Sequence, residues 1–145
     1  MNNNYFISSK FFNPNISFGF FTRKQGYSKN NFNSLNCSNG IGDDNSLVLG
    51  NIEIAQNAIN LQNKKIKFIN QTHSNNIVLI DNENFNIDHQ ADGMITQEKD
   101  ISIAILTADC CPIFIFDNSN SFISCLHVGW KGCYKNIIQQ AFKKI

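Results

Sequence analysis

The sequence predicts a mixed α/β (α+β) fold, a sandwich-like core of mixed β-sheets with flanking helices. Three observations predict it. Short runs rich in Phe, Ile, Val and Tyr recur between Asn, Gly and Pro punctuation, as strands do. Two stretches, one starting at Asp43 or Asp44 and one at Lys131, carry apolar residues at spacings of three and four, as helices do. Two of the apolar runs end on reactive side chains: ISIAIL (101–106) leads to Asp109, Cys110 and Cys111, and SFISCL (121–126) to His127, Gly129, Trp130 and Gly132. Reactive groups at strand ends, beside glycines that admit a close backbone approach, indicate a site.

In chain order, residues 5–8 and 16–22 read as strands around an Asn13-Pro14-Asn15 turn. Residues 22–44 are polar and contain Gly26, Gly40 and Gly42. They read as a loop of about 20 residues, a length that is functional or disordered in compact domains. Arg23 is its first strong cation. A helix capped by Asp43 or Asp44 runs to about residue 62, burying Leu47, Val48, Ile52, Ala55, Ala58, Ile59 and Leu61, with Gly50 as an interruption. Strands at 66–70 and 76–81 flank Gln71-Thr72-His73-Ser74. Residues 82–93 are mostly loop and 94–96 a brief strand. The continuous apolar runs 101–107 and 112–117 read as strands buried on both faces, with Pro112 at a strand start. Residues 118–120 form a turn and 122–127 the next strand. The closing helix presents Cys133, Ile137, Ile138, Ala141 and Phe142 on one face. No internal repeat or linker interrupts this order, so residues 1–145 read as one domain.

Composition narrows the function classes. The formal net charge of +1 gives no electrostatic basis for binding nucleic acid or an anionic membrane. The longest apolar run, about eight residues, is far short of the roughly 20 that span a bilayer. The first residues show no basic-then-apolar secretory pattern, and five cysteines is an odd number; reduced thiols in the cytoplasm are the expectation. About two dozen asparagines are scattered between apolar runs and read as compositional drift.

The chain has three histidines. His73, Cys110 and His127 each lie at a strand end, and if the carboxyl ends of those strands share a rim, the three converge. Two imidazoles and a thiolate suit zinc, leaving a fourth position for water or substrate. A bound metal lowers the pKa of that water. A second reading makes Cys110 a nucleophile, His127 its base and Asp109 or Asp92 the orienting carboxylate. The structural alternative is a buried core thiol and two hydrogen-bonded histidines. Core packing is expected for Cys111, Cys125 and Trp130, although Trp130 also suits stacking on a planar ligand. His89 reads as a solvated loop residue, Asp92 before Gly93 as turn chemistry, and Arg23 as a surface charge or a phosphate fork.

Several motifs occur in an order that resembles the YfiH family, also called the polyphenol-oxidase laccase-domain family and related to FAMIN. They are GFFTRKQGYSKNNFNSLN (19–36), GDD (42–44), QTHS (71–74), ADGMIT (91–96), TADCCP (107–112) and LHVGWKG (126–132). The resemblance covers nearly the whole chain from Gly19. It implies that His73, Cys110 and His127 are metal ligands, that Arg23 contacts phosphate or ribose, and that Asp92 or Asp109 moves a proton. The implied function is a zinc-dependent purine nucleoside phosphorylase acting on adenosine, inosine, guanosine and methylthioadenosine, with adenosine deaminase activity, as a monomer or homodimer. The family's older name implies copper-dependent phenol oxidation instead. A multicopper centre needs about ten histidine ligands, more than this chain contains. Lys131 stands where the family usually has Arg, and Gln25 replaces a glycine. Family members usually extend well beyond the helix that follows GWKG, which makes a truncated, inactive fragment the third expectation.

Overall fold

The computed structural model describes residues 5–6, 13–119 and 121–145. The chain divides into two compact units, Met1–Asn63 and Lys64–Ile145. Of the strand expected at residues 5–8, residues 7 and 8 lie outside the described residues, as does residue 120 of the 118–120 turn.

In the first unit, β1 (Tyr5–Phe6) pairs antiparallel with β2 (Phe20–Phe21). The strand expected over 16–22 is therefore only two residues long. Helix α1 (Asn45–Ala58) starts where the sequence placed it, with the Asp44 side chain accepting from the Ser46 amide at 2.7 Å. It stops before the expected residue 62 because Asn60 adopts a left-handed conformation (φ 58°). The amides of Asn60 and Leu61 then turn back to the carbonyls of Asn57 and Gln56, closing the helix end. Val48, Asn51 and Ile52 form its buried face.

The long loop after β2 is ordered by that face. The Asn51 Oδ1 accepts from the Tyr27 amide (2.7 Å), while its Nδ2 donates to Ser28 Oγ (2.8 Å) and the Asn36 carbonyl (2.7 Å). The Arg23 carbonyl accepts from the amides of Ser34 and Leu35. Gly50 has a packing reason, since a Cβ there would lie 2.9 Å from the Tyr27 ring.

The second unit contains a parallel pair, β3 (Lys65–Lys67) with β6 (Ile101–Ile103), and an open four-stranded mixed sheet. Its order is β4 (Ile77–Ile80), β5 (Gly93–Thr96), β8 (Ile123–Val128), β7 (Cys111–Phe116). β4 and β5 are parallel; β8 runs antiparallel to both β5 and β7. Alternation along the strands sends Ile77, Ile95 and Leu126 to one face, where they meet Ile137 and Ala141, and Ile80, Met94 and Cys125 to the other, where they meet Ile101. This mixed α+β architecture, with an open sheet and flanking helices, is the predicted class.

Several expectations are corrected in detail. The run 112–117 is an edge strand, half-buried along its length, whereas the brief Gly93–Thr96 segment is central and buried at every residue. Apolar composition could not distinguish them, because burial follows from position in the ladder. Pro112 suits the edge, where a missing N–H need not face a neighbour. The run 101–107 is strand only to Ile103. The closing helix is two short helices, α2 (Trp130–Tyr134) and α3 (Ile137–Phe142), broken at the left-handed Asn136 (φ 58°). The break rotates the inner face, so Ile137 and Ala141 are buried while Cys133, Ile138 and Phe142 are exposed. Trp130 (76% exposed) and Cys111 are likewise at the surface and not in the core.

Gly93 sits where a side chain has no room, since a Cβ would lie 2.4 Å from Ile77 Cδ1 and 2.6 Å from Leu126 Cδ2. Gly93→Ala is expected to destabilise the chain by about 1–3 kcal/mol through overpacking, read as a lower urea midpoint at unchanged slope. A midpoint equal to wild type would show that the central ladder is less tightly packed than this.

Candidate metal centre

Four segments distant in sequence meet at one end of the sheet. The expectation that carboxyl strand ends gather there is corrected. The rim combines the carboxyl end of β8 with the amino ends of β4, β5 and β7, because the sheet is mixed. His127 lies in β8 opposite Pro112, and Cys110 directly precedes β7. Asp92 directly precedes β5, and its backbone is bonded on both sides, its amide donating to the Asn76 carbonyl (3.0 Å) and its carbonyl accepting from the His127 amide (2.7 Å). His73 lies in the turn before β4, with a left-handed backbone (φ 56°).

One ring nitrogen from each histidine and the Cys110 Sγ lie within 4.8 Å of one another, the arrangement of a three-ligand metal site. His73 Nε2 is 3.9 Å from Cys110 Sγ, and the two imidazoles meet edge to face with centroids 4.8 Å apart. Donors around a tetrahedral zinc-sized ion stand about 3.5 Å apart, so the cluster needs only a small contraction to close on one. Backbone space is reserved for it: a Cβ at Gly129 would lie 3.0 Å from His73 Cδ2 and 3.1 Å from Cys110 Sγ.

Asp92 supports the cluster from behind. Its carboxylate, fully buried, accepts from His127 Nδ1 at 2.8 Å. It also accepts from the amides of Thr72 (3.2 Å), His73 (2.9 Å) and Ser74 (2.6 Å), and from the hydroxyls of Thr72 (3.2 Å) and Ser74 (2.7 Å). Burial alone would push this carboxyl up; the bonds from His127, Ser74 and Thr72 outweigh it and hold the group at about 2. Occupying His127 Nδ1 leaves Nε2 as the lone-pair donor, the usual arrangement behind a metal-bound imidazole. Gln71 fixes the other approach, its Nε2 donating to the Leu106 carbonyl (2.7 Å) and its Oε1 accepting from the Leu106 amide (2.8 Å). That two-way clamp holds the segment leading to Cys110 against the QTHS turn.

The Cys110 thiol is pushed up by partial burial, then by the charge and hydrogen bond of Asp109, and last by the Asp92 charge. Neighbouring carboxylates disfavour a thiolate at Cys110. Asp109 is exposed beside it. Arg23 belongs to the other unit, where its Nε and Nη2 donate to the Asn33 carbonyl at 2.8 and 2.5 Å. Lys131 is exposed, with Nζ 5.6 Å from the Trp130 ring centroid. His89 lies outside the cluster, its Nε2 at 3.4 Å from the Asn84 carbonyl. All five cysteines are free. The sequence reading found the three donors but missed Gln71, Thr72 and Ser74 as supports. Their signal was their place in QTHS, next to a histidine candidate.

In this mixed α+β fold, two imidazoles and a thiol gathered at one sheet end make a candidate metal centre. The chain belongs to the family described as multi-copper polyphenol oxidoreductase laccase, whose model matches residues 17–145, and the YfiH resemblance stands with it. It is 33% identical over 138 residues to purine nucleoside phosphorylase SERP0752 of Staphylococcus epidermidis, covering 90% of this chain and 52% of that protein. Among solved structures it is similar to protein NMB0706 of Neisseria meningitidis (TM-score 0.75, 27% identity, 86% of this chain and 50% of that one). It is also similar to the YfiH protein of Bacillus licheniformis (TM-score 0.67, 26% identity, 79% and 46%). The chain thus spans about half the length of the relatives it matches. Among the described residues no helix is long and apolar enough to cross a membrane.

Gly129→Ala should weaken metal binding roughly 10-fold or more, because the new methyl displaces two donors at once while the sheet stays intact. Competition with a chromophoric chelator measures it. Wild-type affinity in the variant would mean that the donors close on the ion from a different arrangement.

Proposed function

We propose that this chain carries the zinc centre of a purine nucleoside phosphorylase, and that the same centre supports adenosine deamination. The observation that carries the reading is the convergence of His73, Cys110 and His127 with Asp92 behind His127. The relatives named purine nucleoside phosphorylase give the reaction class. His73, Cys110 and His127 would hold the ion, which supplies Lewis-acid charge at the reacting group. In phosphorolysis a phosphate oxygen bonds to the anomeric carbon as the bond to the purine nitrogen breaks, and the purine leaves with the electron pair and takes a proton. In deamination water adds at purine C6 and ammonia leaves. Both need a group that moves a proton at the edge of the site. Asp109, exposed beside Cys110, is placed to do so. Asp92 is engaged by six donors and serves better as an anchor.

A second reading rests on the donor set itself. Two histidines and a cysteine are also the equatorial ligands of mononuclear copper sites, so phenol oxidation after chelation and reloading with zinc or copper is the control.

The test is metal content and turnover of the purified chain beside Cys110→Ala. About one zinc per chain is expected, lost in the variant, with phosphate-dependent release of free base from inosine and conversion of adenosine to inosine, both read by chromatography. Cys110-dependent zinc without either product would sink the enzymatic reading of this chain. Absence of metal from both proteins would sink the centre as well.

A further inference from the structure

We propose that Asp92 is a positioning residue that arranges the His73 and His127 donors before any metal arrives. The inference rests on the metal reading of the same site and deepens it. Within the metal-free cluster the donors share only one long His73–Cys110 contact and one edge-to-face ring contact. Here the two imidazoles are held by one side chain placed directly before β5.

The geometry assigns Asp92 two tasks. At His127 the carboxylate Oδ1 accepts from Nδ1 (2.8 Å), which fixes the orientation of the ring and leaves Nε2 on the side away from Asp92. At the QTHS turn the same carboxylate gathers three successive amides, those of Thr72, His73 and Ser74, with the Thr72 and Ser74 hydroxyls. This braces His73 in a left-handed conformation that is uncommon for a non-glycine residue. Asp92 itself is fixed through its backbone, between Asn76 and His127 in the rows that become β4, β5 and β8. The two imidazoles are therefore referenced to a single point directly before the central strand. Asparagine fills the same volume but cannot do the same work. Its Nδ2 would place N–H donors against the amides of Thr72 and Ser74, which are themselves donors.

Two measurements test this. In the metal-free wild-type protein, long-range 1H–15N correlation should show a proton on His127 Nδ1, and Asp92→Ala should lose the downfield, hydrogen-bonded signal of that proton. In Co2+ titrations followed by visible absorption, Asp92→Asn should bind about 10–100-fold more weakly than wild type while the amide dispersion of β5 and β8 is kept. A wild-type Nε2–H tautomer overturns the proposal, as does a folded Asp92→Asn protein that binds Co2+ as tightly as wild type. If Asp92→Asn does not fold, the wild-type tautomer decides alone. A tight, Asp92-dependent Co2+ site without nucleoside turnover would remove the phosphorylase reading and leave the positioning role standing.

Discussion

A carboxylate taken wholly out of water is tolerated only when its lone pairs are filled, and the second unit is arranged so that those of Asp92 are. Five donors come from the turn before β4 and one from β8, while the Asp92 backbone joins the same two elements at the edge of the ladder. The order β4-β5-β8 places those partners on either side of it. Turn, strand end and carboxylate are thus joined by one set of hydrogen bonds. This is a constraint on the fold as much as on the chemistry. The ladder and the ligand turn share one polar anchor, and the core packs around it, with Met94 and Cys125 on one face and Ile95 and Leu126 on the other.

How much was legible in the sequence follows from what each signal depends on. The start of α1 was legible because capping is local: Asp44 bonds Ser46 two residues on. Its end was not, because Asn60 in a left-handed conformation carries no stronger mark than the many other asparagines. The three donors were legible as candidates from residue type and strand ends, and their shared identity came from the motif resemblance. The central position of β5 was hidden, since GMIT is too short to announce itself and its burial comes from neighbours on both sides. The direction of the strands at the rim was hidden for the same reason.

Polar residues on apolar faces were the most informative marks that went unread. Asn51 occupies the helix row of Val48 and Ile52, so periodicity alone assigns it to the interior. A buried amide must find partners, and the adjacent polar loop was the available source. Its three bonds to Tyr27, Ser28 and Asn36 explain why a stretch of about 20 residues without a sheet partner is nevertheless ordered. Gln71 is a parallel case, a long amide whose two ends bind both polar groups of Leu106 and replace the strand pairing that stops at Ile103.

The mixed strand directions explain how so small an element set can assemble such a centre. In an all-parallel sheet, groups at one rim come from the same end of every strand and are separated by full crossovers. Here β8 runs against its neighbours, so a residue at its carboxyl end faces residues at the amino ends of β5 and β7. His73, Asp92, Cys110 and His127 thus meet across one sheet edge, each supplied by a different segment. The electrostatics of that edge are divided to match. The carboxylate at the back is held ionised by donors, whereas the thiol at the front is pushed toward its neutral form by burial and then by Asp109. A cation entering between them would relieve the front without disturbing the back, because the bonds that fix the imidazoles are made to Asp92 and not to the thiol.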